Sequence, residues 1–180
     1  PNEEDHSKAI RMCKLSHLII ENYAIISKSD TSGECRVKSY DKLGDLFVAV
    51  CNYKLAVEFY RRAFSSAKVL HKPKSELARI LFSIAETYAD DGQFHHALLC
   101  YEKELSLREG NPKEQCQSLI KIAYMNQNLS RGEEKIIEAY EKALEKADKQ
   151  PSLMYQVLRY YVPYMKQSSS NPTRCYELEE

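Results

Sequence analysis

Tryptophan is absent from the 180 residues, and glycine occurs only 5 times. So little glycine leaves no Gly-rich loop that could cradle a phosphate. Charge of one sign is missing too, because Lys+Arg and Asp+Glu both number 26. Coating nucleic acid or lying on an anionic membrane needs a basic excess, so both roles are disfavoured. No stretch approaches the roughly 18 apolar residues of a membrane-crossing helix. The six cysteines are Cys13, Cys35, Cys51, Cys100, Cys116 and Cys175. None forms a CxxC pair or stands near a histidine at zinc-ligand spacing. They read as free thiols in a reducing compartment, most of them small buried hydrophobes. The acidic start, Pro1 to Asp5, has no apolar core and is no signal peptide. The missing initiator methionine predicts a piece cut from a longer protein.

What is present is helical periodicity. Hydrophobic residues make up 43% and charged residues 29%, enough for a core with a solvated surface. No strand alternation occurs. Tyr40, Leu43, Gly44, Phe47, Ala56, Tyr60 and Ala63 are followed at identical intervals by Leu81, Ile84, Ala85, Tyr88, Ala97, Tyr101 and Glu104. A third copy has Leu119, Ile122 and Ala123, then Ile136, Tyr140 and Ala143, with one extra residue within Asn126–Gly132. Asn126 stands where the first two copies carry an aromatic. This is the tetratricopeptide pattern: large, Leu, small and aromatic on a first helix, then small, aromatic and small on a second. Two antiparallel helices approach closely only where a small side chain faces a bulky one. The predicted fold is therefore all-α, a right-handed superhelix of antiparallel helix pairs. The period is 41 residues from Tyr40 to Leu81 and 38 from Leu81 to Leu119, against about 34 for the common repeat. The excess predicts long helices or long loops around His71–Lys74 and 109–112, where Pro73 and Pro112 stand.

The chain divides into a long N-terminal helix and partial upstream repeat over 1–34, three helix-pair repeats plus a capping helix over 35–166, and a polar, flexible tail over 167–180. Ile10, Cys13, Leu18 and Ile25 stand at helical spacing in the first part. The capping helix presents Met154, Val157, Leu158 and Tyr161, and Pro163 should kink or end it. Glu104 occupies a usually small position, from which its long side chain can snorkel outward.

Chemistry is sparse. His95 and His96 are adjacent and point apart on a helix, so they read as a solvated turn pair rather than metal ligands. Asp90-Asp91-Gly92 reads as a turn, because the remaining calcium ligands do not follow. No catalytic, cofactor-binding or metal site is expected, and no small-molecule substrate. Tyr60, Tyr88, Tyr101 and Tyr140 are core residues. Tyr160, Tyr161 and Tyr164 cannot all face inward, so at least one should be exposed as a possible anchor. Function should lie on the first helices, which line the concave groove of this architecture. The candidate protein-binding residues are Asp41, Asp45 and Val48 in copy one, and Phe82, Glu86, Ala89 and Asp90 in copy two. Copy three adds Tyr124, Gln127 and Asn128, with Ile120 beside them, and the last helix adds Tyr155 and Arg159. The first half is acidic and suits a basic or amphipathic segment. Asp41 and Asp45 would repel a terminal carboxylate.

Three strings are more specific: Leu43-Gly44-Asp45-Leu46-Phe47, His95 through Asn111, and Gln156-Val157-Leu158. With the long period and the inserted residue, the stretch from Arg36 to Gln167 resembles the last tetratricopeptide repeats of the tonsoku-like family. That resemblance implies a nuclear, non-enzymatic scaffold of replication-coupled DNA repair and homologous recombination. It implies association with histones and histone chaperones, and no direct contact with nucleic acid or membrane. The family's histone-reading ankyrin repeats and leucine-rich region have no counterpart here. Three alternatives remain: a cytoplasmic adaptor of the kinesin-light-chain or spindle-orientation type, an enzyme or cofactor-binding helical domain, which would require a convergent polar pocket, and a structural spacer without its own ligand.

Overall fold

Helical start and stop signals recur at equivalent places along the chain. The computed structural model describes residues 3–108, 110–148 and 150–168, and among these it shows eight helices and no strand. The helices are α1 (Glu3–Ser27), α2 (Gly33–Ala49), α3 (Tyr53–Val69), α4 (Lys74–Asp90), α5 (Phe94–Leu105), α6 (Pro112–Asn128), α7 (Glu133–Ala147) and α8 (Pro151–Ser168). Ser32, Asn52 and Asn111 cap α2, α3 and α6 by accepting from the amides of Cys35, Leu55 and Glu114. The chain forms two compact units, Pro1–Gln93 and Phe94–Glu180. From residue 169 on, the polar tail and Cys175 lie outside the described residues.

The first helix of each repeat ends in the same way. Cys51, Gly92 and Ser130 follow α2, α4 and α6 at the same offset, with φ of 57°, 72° and 49°. The next amides reach back to Phe47, Tyr88 and Asn126 carbonyls at 2.8, 2.8 and 3.0 Å. These are Schellman closures, and their left-handed position favours glycine. Only the second repeat supplies one. We expect Ser130→Gly to raise stability by about 0.5–1 kcal/mol, and Gly92→Ala to cost about 1 kcal/mol, in urea denaturation. Nothing lies within 4 Å of a Cβ built at Gly92, so that cost is conformational rather than steric.

In the first unit, α2 packs on α3 and α1 packs on α2. Tyr60 lies directly on Gly44: a Cβ there would sit 2.4 Å from its ring. The ring thus fills the crossing within its own pair. Phe59 gathers three rings, stacked on Phe47 at 5.4 Å and Tyr40 at 6.3 Å, and edge-on to Tyr23 at 5.5 Å. No described α1 side chain is fully buried. Leu15, Ile19, Asn22 and Ile26 are half-buried on its inner side, while Ile10, Cys13, Leu18 and Ile25 are exposed.

In the second unit, Ala123 and Tyr140 repeat the small-and-bulky pairing, and both are buried. Tyr140 stacks on Tyr161 of α8 at 4.9 Å, and burial pushes its phenol up to about 12. The buried row of α8 is Leu153, Val157, Tyr161 and Met165, while Met154 turns outward. The stripe is rotated from the predicted one because α8 must meet both α7 and α6. Pro163 does not end α8, which continues to Ser168. Interior proline costs about 3 kcal/mol, and burying Tyr161 and Met165 on either side offsets it, at roughly 1.5–3 kcal/mol for each large side chain.

Two further sequence expectations are corrected. Cys13, Cys35 and Cys51 are exposed, Cys100 is intermediate, and of the described cysteines Cys116 alone is buried. Its thiol meets the Ala143 carbonyl at 3.2 Å. Glu104 does not snorkel; it is fully buried. Its carboxylate accepts from the Ser118 hydroxyl at 2.5 Å and pairs with Arg108, which also pairs with Glu114. Snorkelling fails because α6 covers that face of α5, so the charge needs a partner inside.

Candidate protein-interaction surface

The first-helix surface of the first unit is built by α2 and α4. Asp41 is mostly buried and is tied to Arg79 of α4 at 2.9 Å. Burial raises its carboxyl above the ordinary value, and the Arg79 guanidinium works against that rise. Asp45 is exposed and accepts a 2.7 Å hydrogen bond from the Tyr60 hydroxyl. Burial, then this bond, pushes the Tyr60 phenol far up. Val48, Phe82, Glu86 and Ala89 are half-buried, and Asp90 is exposed. These seven residues stand half-buried or exposed on α2 and α4, but their acidity is lower than their count suggests. Asp41 faces a guanidinium and contributes little net field to a visiting ligand.

Sequence reasoning missed Arg79. It stands three residues, nearly one helical turn, before Phe82, the repeat equivalent of Asp41. That offset puts Arg79 and Phe82 on one face of α4, which was the available signal.

In the second unit the first helices are α6 and α8, which touch each other. Tyr124 is 50% exposed and Tyr155 is 69% exposed. Asn128 and Arg159 are exposed beside them in sequence, and the Asn128 amide donates to the Tyr124 carbonyl at 2.8 Å. Gln127 is half-buried and donates to the Tyr140 hydroxyl at 3.4 Å. Ile120, expected beside these residues in the groove, is instead buried at 7% exposure. Of the tyrosines in α8, Tyr161 is in the core and Tyr160 is 51% exposed.

Among the described residues, no group of three or more His, Cys, Asp and Glu side chains converges to hold a metal. His95 and His96 are exposed with ring centroids 6.2 Å apart. No helix of the described residues is long and apolar enough to cross a membrane.

Comparison with known proteins agrees with this geometry. The tetratricopeptide repeat family profile matches residues 35–110. Tonsoku-like protein of Danio rerio is 32% identical over 94% of this chain, and that of Bos taurus is 32% identical over 77%. The chain spans 12% and 11% of those two proteins' lengths. Among solved structures, a Podosopora anserina putative kinesin light chain with nearly identical TPR-like repeats superposes with a TM-score of 0.73. It is 16% identical, over 97% of this chain and 88% of that one, so the likeness is one of fold. The chain is therefore a tetratricopeptide-repeat array similar, along most of its length, to one stretch of the tonsoku-like proteins.

Proposed function

We propose that this array is a non-enzymatic protein-binding segment of a nuclear scaffold in replication-coupled repair and homologous recombination. Its partner is a segment of another protein, such as a histone or a histone chaperone. Tetratricopeptide repeats mediate protein–protein interaction, and the similarity to tonsoku-like proteins supports the nuclear setting. The observation that carries the binding reading is the pair Tyr124 and Tyr155, large amphipathic side chains left half or more exposed on neighbouring first helices. A tyrosine ring in solvent forgoes its burial energy, and such rings are the usual anchors of an interface. Asp45 and Asp90 give the other unit an acidic first-helix surface suited to a basic segment.

The test is binding of purified core histones and histone chaperones to the full chain. Tyr124→Ala with Tyr155→Ala should weaken the bound partner about tenfold or more, the loss expected for interface anchors. Asp45→Asn with Asp90→Asn removes two charges while leaving the Tyr60 hydroxyl an acceptor. It should slow association and flatten its salt dependence. Unchanged binding in both double variants rejects these surfaces. No binding of any of these proteins rejects the histone-linked reading itself.

A further inference from the structure

Two departures of the third repeat from its siblings meet at one place. Asn126 occupies the position of Phe47 and Tyr88, and the inserted residue enlarges the turn that holds Arg131. Phe47 and Tyr88 fill their site with a ring, each 8% exposed. Asn126 is just as buried, at 5%, yet its side-chain oxygen has no hydrogen-bond partner. Beside it opens a cavity of about 320 Å³ between α5, α6 and α7. It lies wholly within the second unit, and α6 lines it together with the second helices α5 and α7. None of Tyr124, Gln127, Asn128, Tyr155 and Arg159 lines it, so it is distinct from the surface of the preceding subsection.

The lining is amphipathic. Leu105, Leu119, Ile122 and Ala139 supply an apolar floor. Arg131 and Lys135 stand at the rim and make no ion pair among the described residues. Lys142, also lining, is already bonded to Glu138 at 2.6 Å. Counting Glu102 on the α5 side, the lining holds three cations against two acids, and the lining charges of α7 and its turn that make no ion pair among the described residues, Arg131 and Lys135, are both positive. A ligand that matches needs an apolar side chain for the floor and carboxylates for the rim.

We propose that this groove docks an acidic, amphipathic segment of a partner protein. One aliphatic or aromatic side chain enters beside Asn126, and flanking carboxylates engage Arg131 and Lys135. Apolar burial supplies the anchoring, and the charges set register and discriminate against basic segments. Replacement of the repeat's ring by asparagine makes the room, and the longer turn brings in Arg131.

A displayed library of random short peptides, selected on the full chain, tests this. Acidic peptides with one or two aliphatic or aromatic residues should be enriched. Arg131→Glu with Lys135→Glu should weaken them about tenfold or more. Asn126→Phe, which restores the ring of the other repeats, should abolish binding while circular dichroism stays helical. Tyr124→Ala with Tyr155→Ala should leave these peptides bound, separating this groove from the first-helix surface. Absence of acidic enrichment, or binding that survives the rim reversal, overturns the proposal. The rim variant decides the matter even if Asn126→Phe misfolds, since Lys135 is exposed and Arg131 half-exposed.

Discussion

Arg108→Ala should lower the stability of the second unit by about 3–5 kcal/mol, the cost of leaving a buried charge without its partner. Glu104 is fully buried and its Arg108 partner has a side chain only 10% exposed, so removing the guanidinium leaves the carboxylate only the Ser118 hydroxyl. The reverse change should be much milder. With Glu104→Ala, Arg108 keeps Glu114, whose side chain is 37% exposed and can bring water with it. Alanine is also what this position carries in the neighbouring repeats, as Ala63 and Ala143, both fully buried. The asymmetry is the sharp part of the expectation. Urea denaturation of both single variants and of the double variant measures it. The double variant should recover most of the Arg108→Ala loss, because the orphaned carboxylate is gone. Equal costs for the two single changes would mean that packing volume, not charge, holds this corner together.

Gly44→Ala is the second large effect, and here two physical terms oppose each other. Helix propensity favours alanine over glycine by about 1 kcal/mol. Sterics oppose it: the added Cβ would lie 2.4, 2.5 and 2.7 Å from three atoms of the Tyr60 ring. The ring cannot swing aside cheaply. Tyr60 is 3% exposed, and its hydroxyl is fixed to Asp45. Overpacking of this kind costs about 1–3 kcal/mol before any backbone shift, so the net effect should be destabilising. A double-mutant cycle isolates the cause. In a Tyr60→Ala background the clash has gone, and Gly44→Ala should become stabilising by roughly the propensity difference. If the sign does not reverse, the helix crossing is not set by the ring on the glycine.

These expectations rest on features of unequal visibility in the sequence. The eight helices follow from local periodicity and from caps such as Ser32, Asn52 and Asn111, which act within a single turn. The matched order of Gly44 with Tyr60, and of Ala123 with Tyr140, was legible because a small-and-bulky pair must recur wherever the same helix crossing recurs. The core tyrosines followed for the same reason. On the candidate surface, Tyr124 and Tyr155 were legible as outward residues, since their spacing places them opposite the buried row.

The pairings between helices were not legible, and they decide the character of the sites. Asp41 read as a free acid until α4 brought Arg79 to it, from 38 residues away. Glu104 read as a surface residue until Ser118, 14 residues on, closed over it. The buried row of α8 shares Val157 and Tyr161 with the expected one but exchanges Met154 and Leu158 for Leu153 and Met165. Periodicity fixes that a helix has an apolar stripe; the rotation of that stripe is set by which two neighbours it must meet. The sequence alone therefore determined the repeat, its helices and the small residues at their crossings, because these depend on contacts a few residues apart. The tertiary structure alone decided which charges are neutralised, which are buried, and where Asn126 leaves room, because those depend on how closely separate helices approach.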